Sequence, residues 1–239
     1  MKIQIIKDLL QIFYPRLCLI CEYPLFENEV FACTTCRHDL PVLFFKDATK
    51  NELLRKFYGR IPVEEINTLL SFSKEGKTKK LIHELKYNGN ENIGIFPGNW
   101  IGELLIENKQ FSEVDFIVPV PLHPKKLKKR GYNQLTKFGG RVSFYLNKPL
   151  KQNILLKINA TKTQTFKQGF ERFENNELKF SLQDTIIFAN KHIQLIDDVL
   201  TTGATLEACS KELLKTPNIK ISILTMSFTM IILTLKTEK

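Results

Sequence analysis

No run of about 18 consecutive apolar residues occurs anywhere in the 239-residue chain, which excludes a conventional membrane-spanning helix. The longest apolar stretch, "ISILTMSFTMIILTL" near the C-terminus, is too short to span and reads as a buried strand with a tail. The N-terminal "MKIQIIKDLLQIFYPRLC" is interrupted by Lys7 and Asp8 and lacks a small-residue cleavage site. It reads as a short amphipathic helix and not as a signal peptide, so the expected compartment is the cytoplasm. There is no internal repeat and no low-complexity tract, which removes solenoids and disordered linkers. The complete GxxxxGK[ST] phosphate loop is missing, and so is a helix-turn-helix pattern, which argues against P-loop nucleotide chemistry and a repressor-type DNA reader. Acidic charge is in deficit: 35 Lys and Arg face 25 Asp and Glu, a formal net charge of +10. That balance favours polyanionic partners, nucleic acid or a phosphorylated metabolite, with a solvated basic surface as the plainer and equally weighted reading. At 43% hydrophobic, the chain can bury a core.

Cysteine is scarce but placed in a pattern. Four of the five cysteines form "CLIC" and "CTTC", Cys18, Cys21, Cys33 and Cys36, with 11 residues between the pairs. Each pair makes a knuckle offering two thiolates, and four sulfurs close a tetrahedral Zn(II) shell. A disulfide framework suits a cytoplasmic chain poorly. A redox CxxC lacks its thioredoxin-like strand–helix context. The expected zinc is structural, because a closed four-thiolate shell leaves no position for a substrate. His38 is read as a bystander, and Cys209 as a core thiol.

The order of the remaining elements predicts the fold class. Strands are expected at 65–73, 115–122, 191–199 and 219–228, and helices at 76–90, 100–108, 133–146 and 203–215. Gly139–Gly140 weakens the third helix. Strands alternating with helices imply an α/β chain with a doubly wound, mainly parallel sheet. Residues 1–45 are expected as a small zinc-ribbon module and 46–239 as the α/β domain.

"IQLIDDVLTTGAT", Ile193 to Thr205, carries the chemistry. An apolar strand ends in Asp197 and Asp198, and a loop of small and hydroxyl residues then opens a helix. Backbone N–H groups, threonine hydroxyls and the helix dipole make a phosphate cradle there, and Gly203 permits close approach or positive φ. Vicinal carboxylates beside it suit the hydroxyls of a ribose and can support Mg²⁺. The stretch reads as a grip on ribose 5-phosphate.

"LIDDVLTTGAT" resembles the phosphoribosyl-pyrophosphate (PRPP) motif of type I phosphoribosyltransferases. The resemblance implies that Asp197 and Asp198, the catalytic candidates, meet the ribose hydroxyls with Mg²⁺. It implies that Thr201, Thr202, Gly203, Ala204 and Thr205 hold the 5-phosphate. "VPVPLHPKKLKKRGYNQ" (118–134), "LIHELKYNGN" (81–90) and "TKTQTFKQGFERFENNELKF" (161–180) resemble the signatures of the ComF (ComFC) competence family. The last stretch keeps Thr161, Gln164, Arg172, Asn175 and Phe180 at that family's spacing, and the four-cysteine module matches it as well. The chain departs from the pattern at Lys167, where the family has leucine, and beyond Phe228. By resemblance, Lys86, Arg130, Asn133 and Gln134 belong to the ligand side. Lys125, Lys126, Lys128 and Lys129 are candidates for pyrophosphate or for a track carrying single-stranded DNA. The 123–131 stretch is expected to be a mobile basic loop. Three functions follow from the resemblance. One is a PRPP-binding competence protein that handles single-stranded DNA beside other competence proteins. The second is a genuine transferase moving phosphoribosyl to a nitrogen acceptor, and the third a non-catalytic PRPP-sensing or nucleic-acid-binding module.

Overall fold

A computed structural model of the chain describes residues 13–87, 89–158, 179–183 and 185–229. The expected N-terminal amphipathic helix lies mostly outside these residues, as do Thr161, Gln164, Lys167, Phe170, Arg172, Phe173, Asn175 and the tail from residue 230.

The cysteine segment contributes one short helix, α1 (Thr34–His38), which starts directly after Cys33. The chain then runs antiparallel beside the first strand, where Leu43 N–H donates to Leu69 O at 2.9 Å and Ser71 N–H to Pro41 O at 2.7 Å. Next come β1 (Ile66–Phe72), α2 (Lys77–Tyr87), α3 (Ile95–Glu107) and β2 (Phe116–Pro119). They are followed by α4 (Pro124–Arg130), α5 (Leu135–Leu146), β3 (Leu155–Ile158) and β4 (Lys179–Leu182). The last elements are β5 (His192–Leu200), α6 (Ala204–Leu213) and β6 (Lys220–Thr229). The main sheet has the order β1-β6-β5-β2 with every pairing parallel, while β3 and β4 form a separate antiparallel ribbon. The fold is therefore α/β on a parallel sheet, as the alternation predicts.

The central strands explain why the pattern is legible. β5 and β6 are almost continuously buried, apolar residues alternating with small or polar ones, because helices cover both faces. β2 is shorter than expected. It lies at the edge of the four strands and ends at Pro119, which cannot donate to a ladder. α3 begins at Ile95 rather than residue 100, since Pro97 falls in the first turn, where a missing N–H leaves no bond unmade. α5 forms despite its glycine pair. A Cβ on Gly139 would stand 2.6 Å from Ile196 Cδ1 and 2.9 Å from Leu150 Cδ1, so the glycine lets α5 lie close on the sheet. One apolar core runs from Cys18, Ile20, Cys36 and Leu40 of the cysteine segment through to the sheet.

The connections after β2 and β5 leave in opposite directions. From β2 the chain passes through α5 to Leu150, which bridges in parallel on the outer side of Ile117. From β5 it passes through α6 to β6, on the inner side. The carboxyl ends of β2 and β5 thus flank a topological switch point, the place where open α/β sheets bind ligands.

Candidate functional site

Asp197 and Asp198 end up at that switch point, but they do not converge. Consecutive strand residues project to opposite faces. Asp198, only 5% exposed, turns toward α2 and α5, where its Oδ1 accepts from Lys86 Nζ at 2.9 Å and its Oδ2 from Gln134 Nε2 at 2.6 Å. Gln134 Oε1 in turn accepts from Arg130 Nη1. Lys86, Asp198, Gln134 and Arg130 therefore form one chain of side chains linking α2, β5, α5 and α4. All four were candidates by sequence, and only the fold joins them. A carboxylate offers about four lone-pair positions, so Asp198 keeps capacity for two further donors such as sugar hydroxyls.

Asp197 faces the other way and lines a cavity of about 30 Å³ with Thr201, Thr202, Gly203, Ala204 and Thr205. One of its oxygens accepts from the Asp198 N–H at 2.8 Å. Burial, reinforced by the neighbouring Asp198 carboxylate, pushes the Asp197 carboxyl up to about 8. Gly203 sits at φ +80°, the left-handed conformation that a side chain resists, immediately before α6.

The threonine loop is braced by residues that sequence reasoning did not select. Arg60 Nη1 donates to Thr202 O at 2.9 Å and to Lys56 O at 2.8 Å, while Arg60 Nε donates to Glu207 Oε2 at 2.9 Å. Hydrogen bonds from Lys211 and Arg60 hold the Glu207 carboxyl below its ordinary value. The Phe57 ring closes the space over Gly203, 3.0 Å from where a Cβ would stand. Nothing at the level of motifs marks Phe57 or Arg60, because they contact a loop more than 140 positions away.

The basic stretch forms a helix where a loop is expected. Pro124 occupies the first turn, His123 Nδ1 accepts from Lys125 N–H at 3.2 Å, and Gly131 at φ +83° stops the helix. Lys125, Lys126, Lys128 and Lys129 are exposed and stand apart from the Asp198 chain. Asn133 does not reach that chain either. Its Oδ1 accepts from Leu135 N–H at 3.0 Å and its Nδ2 donates to Val120 O at 3.3 Å, which fixes the start of α5. A larger cavity of about 550 Å³ opens beyond β2, lined by Pro121, Leu122, Tyr132, Asn133, Gln152 and Lys157 among others.

At the other end of α2, the Sγ atoms of Cys18, Cys21, Cys33 and Cys36 all lie within 4.8 Å of one another. Cys21 Sγ and Cys33 Sγ are 3.7 Å apart, close to the roughly 3.8 Å edge that a tetrahedron of zinc–sulfur bonds demands. Burial opposes ionisation of Cys18, but N–H groups of Cys21, Cys33 and Ile20 outweigh it and lower the thiol to about 6. Burial and the adjoining thiols push Cys36 far up. Four crowded sulfurs of this kind can hold a metal ion such as zinc. Cys209 is buried in α6, as expected of a core thiol.

With this geometry in place, known proteins narrow the kinship. No family model matches the chain. Over 107 residues it is 37% identical to competence protein F of Haemophilus influenzae, covering 44% of this chain and 47% of that protein. It is 33% identical to competence protein ComFC of Streptococcus pneumoniae, covering 56% and 55%. Over part of its length the chain is similar to ComF-named competence proteins. The ComF-like match thus spans about half the length of these two relatives. To DNA utilization protein YhgH of Escherichia coli K12 it is 24% identical over 84% of this chain and 92% of that one. Solved structures overlap only loosely, among them the purine phosphoribosyltransferase of Pyrococcus horikoshii Ot3. That overlap has TM-score 0.34 and 21% identity, over 58% of this chain and 73% of that one. The fold assignment rests on the sheet itself. Among the described residues, no helix is long and apolar enough to cross a membrane.

Proposed function

We propose that the chain is a ComF-type protein that binds PRPP with Mg²⁺ at the ends of β2 and β5, and that it acts in uptake or handling of single-stranded DNA during natural transformation. The observation that carries this is the pairing, across one switch point, of the small threonine-lined cavity with the Lys86–Asp198–Gln134–Arg130 chain. In this reading Thr201–Thr205 take the 5-phosphate, and Asp197 and Asp198 take the ribose and the magnesium. Lys86, Arg130 and Gln134 offset the pyrophosphate charge. The residues at 1–45 form the structural zinc module, 46–239 the ligand-binding domain, and the protein works in the cytoplasm with other competence proteins. The names of the relatives, competence and DNA utilization, support the DNA role.

Calorimetric titration of PRPP and Mg²⁺ into the wild type and an Asp197→Asn, Asp198→Asn variant tests the ligand. Binding by the wild type that the variant loses is the expected result. A folded, metal-loaded wild type that binds no PRPP removes the reading. The larger cavity beside β2 favours a second reading, a transferase that seats a nitrogen acceptor there. Pyrophosphate release with a panel of nucleobases is its measurement.

A further inference from the structure

The outer face of α2 carries an aromatic platform that the phosphoribosyl site does not use. Leu81, Ile82 and Leu85 bury the inner face, leaving His83 and Tyr87 outward. Four residues apart, the two rings lie side by side with centroids 4.9 Å apart, and Tyr87 is 68% exposed. The Arg130 guanidinium stands 5.7 Å from the Tyr87 ring centre. α2 and the end of α4 are tied together there, since Tyr132 OH donates to Leu85 O at 2.7 Å. From Arg130, α4 carries Lys125, Lys126, Lys128 and Lys129 outward, all exposed. None of the four lysines has a carboxylate partner among the described residues.

A flat ring flanked by a guanidinium and continued by exposed ammonium groups fits a polyanion with uncovered planar groups. Single-stranded nucleic acid has that chemistry, whereas a duplex hides the faces of its bases. We infer that the Tyr87 ring, with Arg130 beside it and α4 as its electrostatic track, is a stacking site for a base of single-stranded DNA. The inference rests on the DNA-handling part of the proposed function and gives it a place. Arg130 belongs both to this platform and to the Asp198 chain, so strand and phosphoribosyl ligand meet at one side chain.

Fluorescence anisotropy of a labelled oligo-dT, read across a salt series, tests it. Tyr87→Ala is expected to weaken binding by roughly 5- to 150-fold with the salt slope unchanged, the size of one lost base stack. Tyr87→Phe keeps the ring and stays within about twofold. Replacing Lys125, Lys126, Lys128 and Lys129 together by Gln flattens the salt slope by about 0.7 for each lysine in contact. Tyr87→Ala binding like the wild type overturns the inference, as does equal affinity for duplex DNA or for anionic phosphatidylserine vesicles. PRPP titration on the same samples separates the two claims. Lost PRPP binding with an intact Tyr87 effect removes the ligand reading alone, and intact PRPP binding without a Tyr87 effect removes the stacking site alone. A wild type that ignores oligo-dT overturns both the stacking site and the DNA role.

Discussion

Two adjacent aspartates behave as different chemical groups because a strand sends neighbours to opposite faces. Asp198 is ion-paired with Lys86, and Asp197 is a carboxyl whose hold on its proton is strengthened by burial and by its neighbour. The sign of the pH effect follows. An aspartate titrates near 3.9 in the unfolded chain, and Asp197 at about 8 in the folded one, so the folded state holds this proton more tightly. Its contribution to stability is complete below about pH 4 and disappears as pH rises through 8. Asp197→Asn mimics the neutral acid, so without ligand it is expected to exceed the wild type in stability at pH 8. The gap should shrink toward pH 4, read by urea denaturation at each pH. Arg60 is the second residue of consequence. Arg60→Ala frees the Thr202 carbonyl and leaves Glu207 with Lys211 as its cation. It is expected to weaken PRPP binding about tenfold while the melting temperature moves by only a few degrees, with calorimetry and thermal melting as the checks.

Elements meet here through small residues, and the glycine pair of α5 shows how much position decides. Gly139 is pressed between Ile196 and Leu150, while Gly140 has open space around the site of a Cβ. Gly140→Ala is therefore expected to stabilise the protein by about 0.5–1 kcal/mol through helix propensity. Gly139→Ala, with the same propensity gain, is expected to destabilise it by about 1–3 kcal/mol through overpacking. Chemical denaturation of the two variants gives opposite signs if the packing is right. The same logic explains α4. Its lysines suggest a loop by charge alone, but a proline at the start, a histidine cap and a left-handed glycine at the end define one short helix.

Across the whole molecule, α2 is a strut between the cysteine cluster and the switch point. At its start, Lys77 Nζ donates to Asp39 Oδ2 at 2.7 Å and Lys80 Nζ to Ile20 O at 3.0 Å. At its end, Lys86 holds Asp198. Because the apolar core is continuous from Cys18 and Cys36 into the sheet, loss of a metal held by the four sulfurs would be felt beyond the knuckles. Treatment with a strong chelator is expected to lower the melting temperature by 10 degrees or more, roughly what a lost structural metal site costs. Hydrogen exchange should rise first over residues 17–43 and the start of α2. Metal analysis of the untreated protein should find about one zinc per chain.

The class of fold is legible in the order of residues, and so are the local stretches of the candidate site. Hydrophobic runs and their spacing imply alternating strands and helices. A CxxC pair is a complete knuckle within four residues, and the threonine loop after Asp198 is a contiguous run of candidate residues. Each of those signals depends on neighbours in the chain, so each can be read in order. Tertiary structure alone decided which distant groups meet. It set Gln134 between Arg130 and Asp198, aimed Asp197 away from Asp198, braced Thr202 with Arg60 and laid Arg130 beside Tyr87. The physical reason is that such contacts depend on where the sheet places the ends of β2 and β5 and how the helices cross above them. Those positions follow from packing the whole core, and no short stretch of residues contains them.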